Sequence, residues 1–197
     1  MIRNNTLSTG RRKWNACFNL TDNIWSQICK LPFQITHNAK LQWLQYRITQ
    51  HILTTNSFLY KAQIVNNPTC TFCKSEDETI VHLLWECSEV QDLLCSFNTL
   101  PDTLRIPFNF NKEIFLLGQL NYNKFYKTDN EVIILIKQYI YRTRCLSKTL
   151  NVIALIYVIK EYYNVQKCIT HTKDESYKIR FQDGWEKWIK LMDYVEN

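Results

Sequence analysis

Apolar residues return along this chain at helical intervals. Leu41, Leu44, Ile48 and Ile52 stand at i, i+3, i+7 and i+11, which predicts an amphipathic helix over about 37–52 with Thr36 as its N-cap. Lys40, Trp43, Arg47 and His51 repeat the same spacing and give that helix a second, basic and aromatic face. A short helix is expected after Asn56 and a longer one over 79–97, stopping before Pro101. Pro101 and Pro107 mark 100–111 as a loop. Over 130–148, Val132, Ile133, Ile136, Tyr139, Ile140 and Thr143 form an inner side, and Lys137, Tyr141, Arg144 and Lys148 an outer strip. The segment 151–167 fits either a helix or a strand, because its VIALIYVI run is β-rich. Tyr177, Phe181, Trp185, Trp188 and Met192 predict a last helix with Gly184 as its weak point.

The pattern divides into a basic segment with a short helix (1–30), a helical module (31–98), a linker loop (99–128) and a C-terminal helical segment (129–197). Neither an internal repeat nor a heptad run is visible. The chain has 197 residues, 46% of them hydrophobic, enough to bury a core. It holds only three Gly, which excludes Gly-rich phosphate loops. Its apolar runs fall far short of the ~20 residues that cross a bilayer, and its start lacks the apolar core of a secretory signal. A cytoplasmic or nuclear protein without membrane contact is the expectation.

Charge is uneven. Residues 1–69 carry eight Lys/Arg against Asp22 alone, residues 70–110 carry two against seven acids, and residues 111–197 carry fourteen against ten. Two basic flanks therefore enclose an acidic middle. Eight cysteines in a reducing compartment point to metal binding or burial rather than disulfides.

CTFCKSEDETIVHLLWEC sets Cys70, Cys73, His82 and Cys87 in a C-x2-C-x8-H-x4-C pattern. Two thiolates on a CxxC turn can face one ion, and a spaced His and Cys can close a tetrahedron. The competing reading is four unrelated buried residues. Positions five apart on an ideal helix diverge by about 140°, so the helix must end or distort before Cys87, or the ion must sit near its terminus. Cys95 is the one rival for the fourth corner, and Cys17, Cys29, Cys95, Cys145 and Cys168 read as core. Four protein ligands make one structural Zn2+, since a catalytic zinc keeps a corner open for water. No HxE precedes the motif, which excludes a zinc deaminase.

Three thiolates and a neutral His give the site a net charge of −1, and Glu76, Asp77, Glu78, Glu86, Glu89 and Asp92 add to it. Phosphate is expected instead at the basic flanks: Arg11, Arg12, Lys13, Lys40, Trp43, Arg47 and His51 on one, and Lys137, Tyr141, Arg144 and Lys148 on the other. For each strip the competing reading is a solvated helix face.

The stretch 31–87, from LPFQITHNAKLQWLQYRITQ to HLLWEC, closely resembles the zinc-binding (CCHC) domain that follows the polymerase core in LINE-type, non-LTR retrotransposon reverse transcriptases. IPFNFNKEIFLLGQLN, EVIILIKQYIYRTRC and ESYKIRFQDGWEKW extend the likeness over most of the chain, from about Trp14 onward. The resemblance places the zinc ligands on Cys70, Cys73, His82 and Cys87. It implies a non-catalytic C-terminal module that binds RNA or single-stranded nucleic acid without strong sequence preference during target-primed reverse transcription. Neither the polymerase carboxylate pair nor a (D/E)xK after the "PD" of Pro101-Asp102 is present, so neither polymerisation nor nuclease chemistry is expected. The alternatives are a module that docks on the reverse transcriptase core and an inert truncated element copy.

Overall fold

Most helix starts are set by a polar side chain that accepts from a free amide of the first turn. In the computed structural model, which describes residues 8–99, 111–120 and 126–193, Ser8 opens α1 (Thr9–Asn15), Thr21 opens α2 (Asp22–Ile35) and Asn38 opens α3 (Ala39–Thr49). Thr55 opens α4 (Asn56–Lys61), Asn111 opens α6 (Lys112–Leu117) and Asn151 opens α8 (Val152–Thr170). Between α4 and α6 stand a π-helical turn (His82–Glu86) and α5 (Ser88–Asn98). The long helix α7 (Tyr126–Cys145) and the last helix α9 (Glu175–Asp193) complete the described elements. Among the described residues the architecture is helical throughout, with one isolated antiparallel bridge between Thr69 and Asp77.

α7 is the axis. α2 and α3 pack on it from one side, α8 and α9 from another, and the π turn touches it as well. It is therefore buried nearly all round: Val132, Ile133, Ile134, Leu135 and Ile136 are each at most 2% exposed. α1 closes the far end of α3. Trp14 is fully buried there and donates from Nε1 to the Thr49 carbonyl at 3.0 Å. A Cβ on Gly10 would stand 2.5 Å from that carbonyl oxygen, so only glycine lets α1 come this close. The α8–α9 contact is aromatic: Tyr163 stacks on Phe181 with centroids 5.6 Å apart, and Trp185 tilts against both. Gly184, the weak point of the sequence pattern, is where α9 meets Thr128 of α7, with space for no Cβ.

Several expectations change. α2 runs across residue 30, carrying Ile24, Ile28, Leu31 and Ile35 as an inward stripe, where only a short helix was expected. Thr36 ends α2 rather than capping α3; its hydroxyl accepts from Asn38 N and bonds Tyr162 Oη at 3.1 Å. α3 stops at Thr49, so Ile52 is 47% exposed instead of completing the buried stripe. The 99–128 linker contains α6, whose Phe115, Leu116 and Leu117 are core. The loop expected at 100–111 lies almost wholly outside the described residues. The 151–167 segment is helix. Cys17, Cys95, Cys145 and Cys168 are exposed and Cys29 half-buried, so none of the five is the core residue expected. On α5 the inward positions are held by Val90, Leu93, Leu94 and Phe97, which leaves Cys95 outside.

The predicted outer strip of α7 is largely an inner one. Lys137 is fully buried, donates to Gln45 Oε1 and to the Leu116 carbonyl at 3.4 Å, and sits 5.9 Å from the Phe115 ring centroid. Burial lowers its pKa from 10.5 to about 7. The unfolded chain thus binds this proton over a pH range in which the folded chain does not. Folding stability is expected to rise as pH increases from about 7 towards 10.5. Urea titrations across that range should show the rise, and Lys137→Met should flatten it.

Candidate metal centre

The CxxC turn is built by its own backbone. Cys70 N donates to Glu76 O at 2.7 Å and Lys74 N to Cys70 O at 3.2 Å, which folds 70–76 into a tight knuckle. Lys74 takes a left-handed φ of 60° to close it. Phe72 N and the Ser75 hydroxyl donate to the sulfurs of Cys70 and Cys73 at 3.4 and 3.3 Å. The other half comes from the π turn. Cys87 N donates to His82 O at 2.9 Å, a bond closed five residues apart. Such a widened turn brings positions i and i+5 back towards one face, so the distortion required by the spacing is present. Cys87 then turns extended (φ −63°, ψ 129°) and caps α5.

Four ligand atoms, from Cys70, Cys73, His82 and Cys87, lie within 4.8 Å of one another. Cys70 Sγ and Cys87 Sγ are 3.8 Å apart, and Cys73 Sγ and His82 Nε2 are 3.4 Å apart. Zn–S and Zn–N bonds of about 2.3 and 2.0 Å give tetrahedral edges of about 3.8 and 3.5 Å, so the pocket fits this ion. Soft thiolates with one imidazole select zinc over magnesium or calcium. Cys70, His82 and Cys87 are buried and Cys73 half-buried. Cys95 stands outside the cluster.

The thiols are prepared for metal. The Cys87 thiol is pulled down to about 5, chiefly by the hydrogen bond from Cys70, with amides at the start of α5 assisting against burial. Cys70, the donor of that pair, is pushed up correspondingly. Burial alone would raise Cys73, but hydrogen bonds from the Ser75 hydroxyl and the Ser75 and Glu76 amides outweigh it and bring it to about 7. On binding, zinc would take the place of the proton held between Cys70 and Cys87.

A buried network holds this unit in place. Glu78, fully buried, accepts from Asn56 N at 2.9 Å and from Thr71 N, inside the CxxC turn, at 2.8 Å. Arg144 of α7 donates to Glu78 Oε1 from Nε and Nη2 at 2.9 and 2.7 Å, and to Asn56 Oδ1 at 2.7 Å. Asn56 also donates to the Thr69 carbonyl. Glu78 was expected among the acids that add negative charge around the zinc and Arg144 among the phosphate contacts; each instead neutralises the other. The C-x2-C spacing marks the ligands, but only their pairing across 66 residues shows what Glu78 and Arg144 do. Of the remaining acids, Glu86 pairs with Lys112 at 2.6 Å, while Glu76, Asp77, Glu89 and Asp92 are exposed.

The basic flanks are only partly available. Arg12, Lys13 and Lys40 are exposed and Trp43 is 61% exposed. Arg11 turns to Asp22. Arg47 is half-buried, 5.7 Å from the Tyr141 centroid. His51 is half-buried too, its ring 5.1 Å from that of Trp14. On the second flank Lys148 is exposed beyond the end of α7. Lys137 and Arg144 are withdrawn into the interior, and Tyr141 donates to the Thr54 carbonyl at 3.2 Å. Phe33 and Tyr46, which the pattern did not single out, stand with Trp43 around a shallow groove of about 190 Å3.

Four inward-facing ligands in a knuckle, clamped to a helical core, define a closed structural zinc site of a helical domain. Residues 9–93 match the family described as zinc-binding in reverse transcriptase. That match and the tetrad together make this part of the chain a reverse-transcriptase zinc-binding domain holding one zinc ion. Residues beyond 93, over which the resemblance also extended, lie outside the match. No curated protein matches the chain. Among the described residues no helix is long and apolar enough to cross a membrane.

Two outcomes follow for the centre. Elemental analysis should find one zinc per chain in the wild type and none in Cys73→Ser, whose melting temperature should equal that of the chelated wild type. Glu78→Gln leaves Arg144 buried without its counter-charge and should cost about 3 kcal/mol in a urea titration. Glu78→Gln combined with Arg144→Met should recover part of that loss.

Proposed function

We propose that this chain is a non-catalytic C-terminal module of a LINE-type, non-LTR retrotransposon reverse transcriptase. It binds RNA or single-stranded nucleic acid, without strong sequence preference, during target-primed reverse transcription. One observation carries the reading: Phe33, Trp43 and Tyr46 stand exposed beside Lys40 (Phe33 58%, Trp43 61%, Tyr46 39%). Among the described residues Lys40 has no carboxylate partner. Trp43 and Tyr46 meet edge to face with centroids 5.5 Å apart, which leaves ring faces for unpaired bases. Stacking of this kind is indifferent to base identity, and cations beside it neutralise the backbone. The zinc unit contributes by fixing the fold that presents the helices.

The same aromatic groove, with Phe58, Tyr60 and Ile64 also exposed on and after α4, supports a second reading in which the module docks on the reverse transcriptase core. Salt separates the two, because phosphate contacts release counterions and apolar docking does not.

Fluorescence anisotropy of the zinc-loaded chain with a generic single-stranded RNA across a salt series is the test. Trp43→Ala should weaken binding about tenfold at every salt concentration. Lys40→Gln should reduce the log–log salt slope by about 0.7. The buried Lys137, changed to Met, should leave the slope as it is. Binding absent even at low salt, with capture by the polymerase core that persists in high salt, would replace the first reading with the second.

A further inference from the structure

Where the end of α3 meets α4, Lys13, His51, Ser57, Lys61 and Thr79 line a cavity of about 90 Å3 that no carboxylate lines. Three observations there share one explanation. Ser57 Oγ is buried, faces no hydrogen-bond partner and lines the cavity, although buried hydroxyls are nearly always bonded. Lys13 and Lys61, both exposed, have no carboxylate partner among the described residues. His51, held there by its left-handed backbone (φ 60°) and its contact with Trp14, accepts from Lys13 at 3.3 Å. Its ring feels both lysines: burial first, then Lys13 and then Lys61 lower its pKa to about 4.

Two unpaired cations and a donor with nothing to donate to call for an oxygen-rich anion. The volume corresponds to about three waters of liquid. That admits a phosphate group and falls well below the ~300 Å3 from which pockets for whole small molecules begin. The nearest buried acid, Glu78, is neutralised by Arg144, so it does not oppose an anion. We propose that this cavity seats one backbone phosphate of the bound single strand, with Lys13 and Lys61 supplying charge and the Ser57 hydroxyl a directed hydrogen bond. The assignment rests on the nucleic-acid reading and adds Ser57 and Lys61, which no charge or stacking pattern in the sequence singled out.

The test uses the zinc-loaded full chain and inorganic phosphate, followed by the NMR signals of the His51 ring. A saturable shift is expected, at least tenfold weaker in Ser57→Ala and abolished in Lys13→Gln/Lys61→Gln. Ser57→Ala removes a hydroxyl without a partner, so its stability should match the wild type, which separates ligation from a structural role. With single-stranded RNA the double variant should lower the salt slope by at least the ~0.7 expected for one phosphate. A His51 response no different from that to chloride overturns the site. If RNA binding still depends on Trp43 in that case, the nucleic-acid reading survives without it. Saturable phosphate binding by a chain that binds no RNA overturns the assignment to a nucleic-acid phosphate and leaves a site for free phosphate.

Discussion

The fold depends on the buried pairing of Glu78 with Arg144. Each charge alone would be costly to desolvate, and together they remain costly unless every remaining lone pair and proton is used. Here most of them are used: the carboxylate also takes the amides of Asn56 and Thr71, and the guanidinium also reaches the Asn56 side chain. Thr71 lies between the first two thiolates. The pair that fixes α7 against α4 therefore also sets the backbone from which Cys70 and Cys73 project. Metal binding and helix packing are in this way one problem: the zinc holds the knuckle closed, and Arg144 holds the closed knuckle on the core.

This arrangement divides the surface by charge. The acidic middle of the chain is a zinc unit whose most central acid is internal, and two cations of α7, Lys137 and Arg144, are internal as well. Outside stand the acids Glu76, Asp77, Glu89 and Asp92 and, apart from them, an aromatic and cationic surface on α1, α2, α3 and α4. A zinc centre of net charge −1 is compatible with the phosphate-binding surface proposed for the same domain because its role is mechanical. It stiffens a loop between residues 69 and 87 that contains no glycine, at a cost in backbone order covered by a binding free energy of ~10 kcal/mol or more.

The metal centre was legible because its chemistry is local: the C-x2-C-x8-H-x4-C spacing names all four ligands, and the angular mismatch of His82 and Cys87 demanded the break that the π turn supplies. Most helices were legible from apolar spacing. α2 and α6 were not. Pro32 interrupts the pattern of α2, and α6, of six residues, is too short to show a period. The outer strip of α7 was misread for a physical reason. Spacing shows that four residues share a face but not what covers it. Here Gln45, Leu116 and Phe115 receive Lys137, while Glu78 receives Arg144. Long-range partners of this kind leave no periodic trace.

The family match ends at residue 93, yet the domain does not. Arg144 lies 66 residues beyond the Glu78 it neutralises, and Lys137 lies 92 residues beyond the Gln45 to which it donates. Removing α7 would expose the inward stripe of α3 to water and leave Glu78 buried beside the CxxC turn without its counter-charge. At ~25 cal/mol per Å2 the apolar loss alone is large, and a single buried charge without a partner adds several kcal/mol. The zinc centre therefore belongs to a folding unit wider than its motif. α7 supports that centre through Arg144, which holds the Glu78 carboxylate that accepts the Thr71 amide inside the CxxC turn.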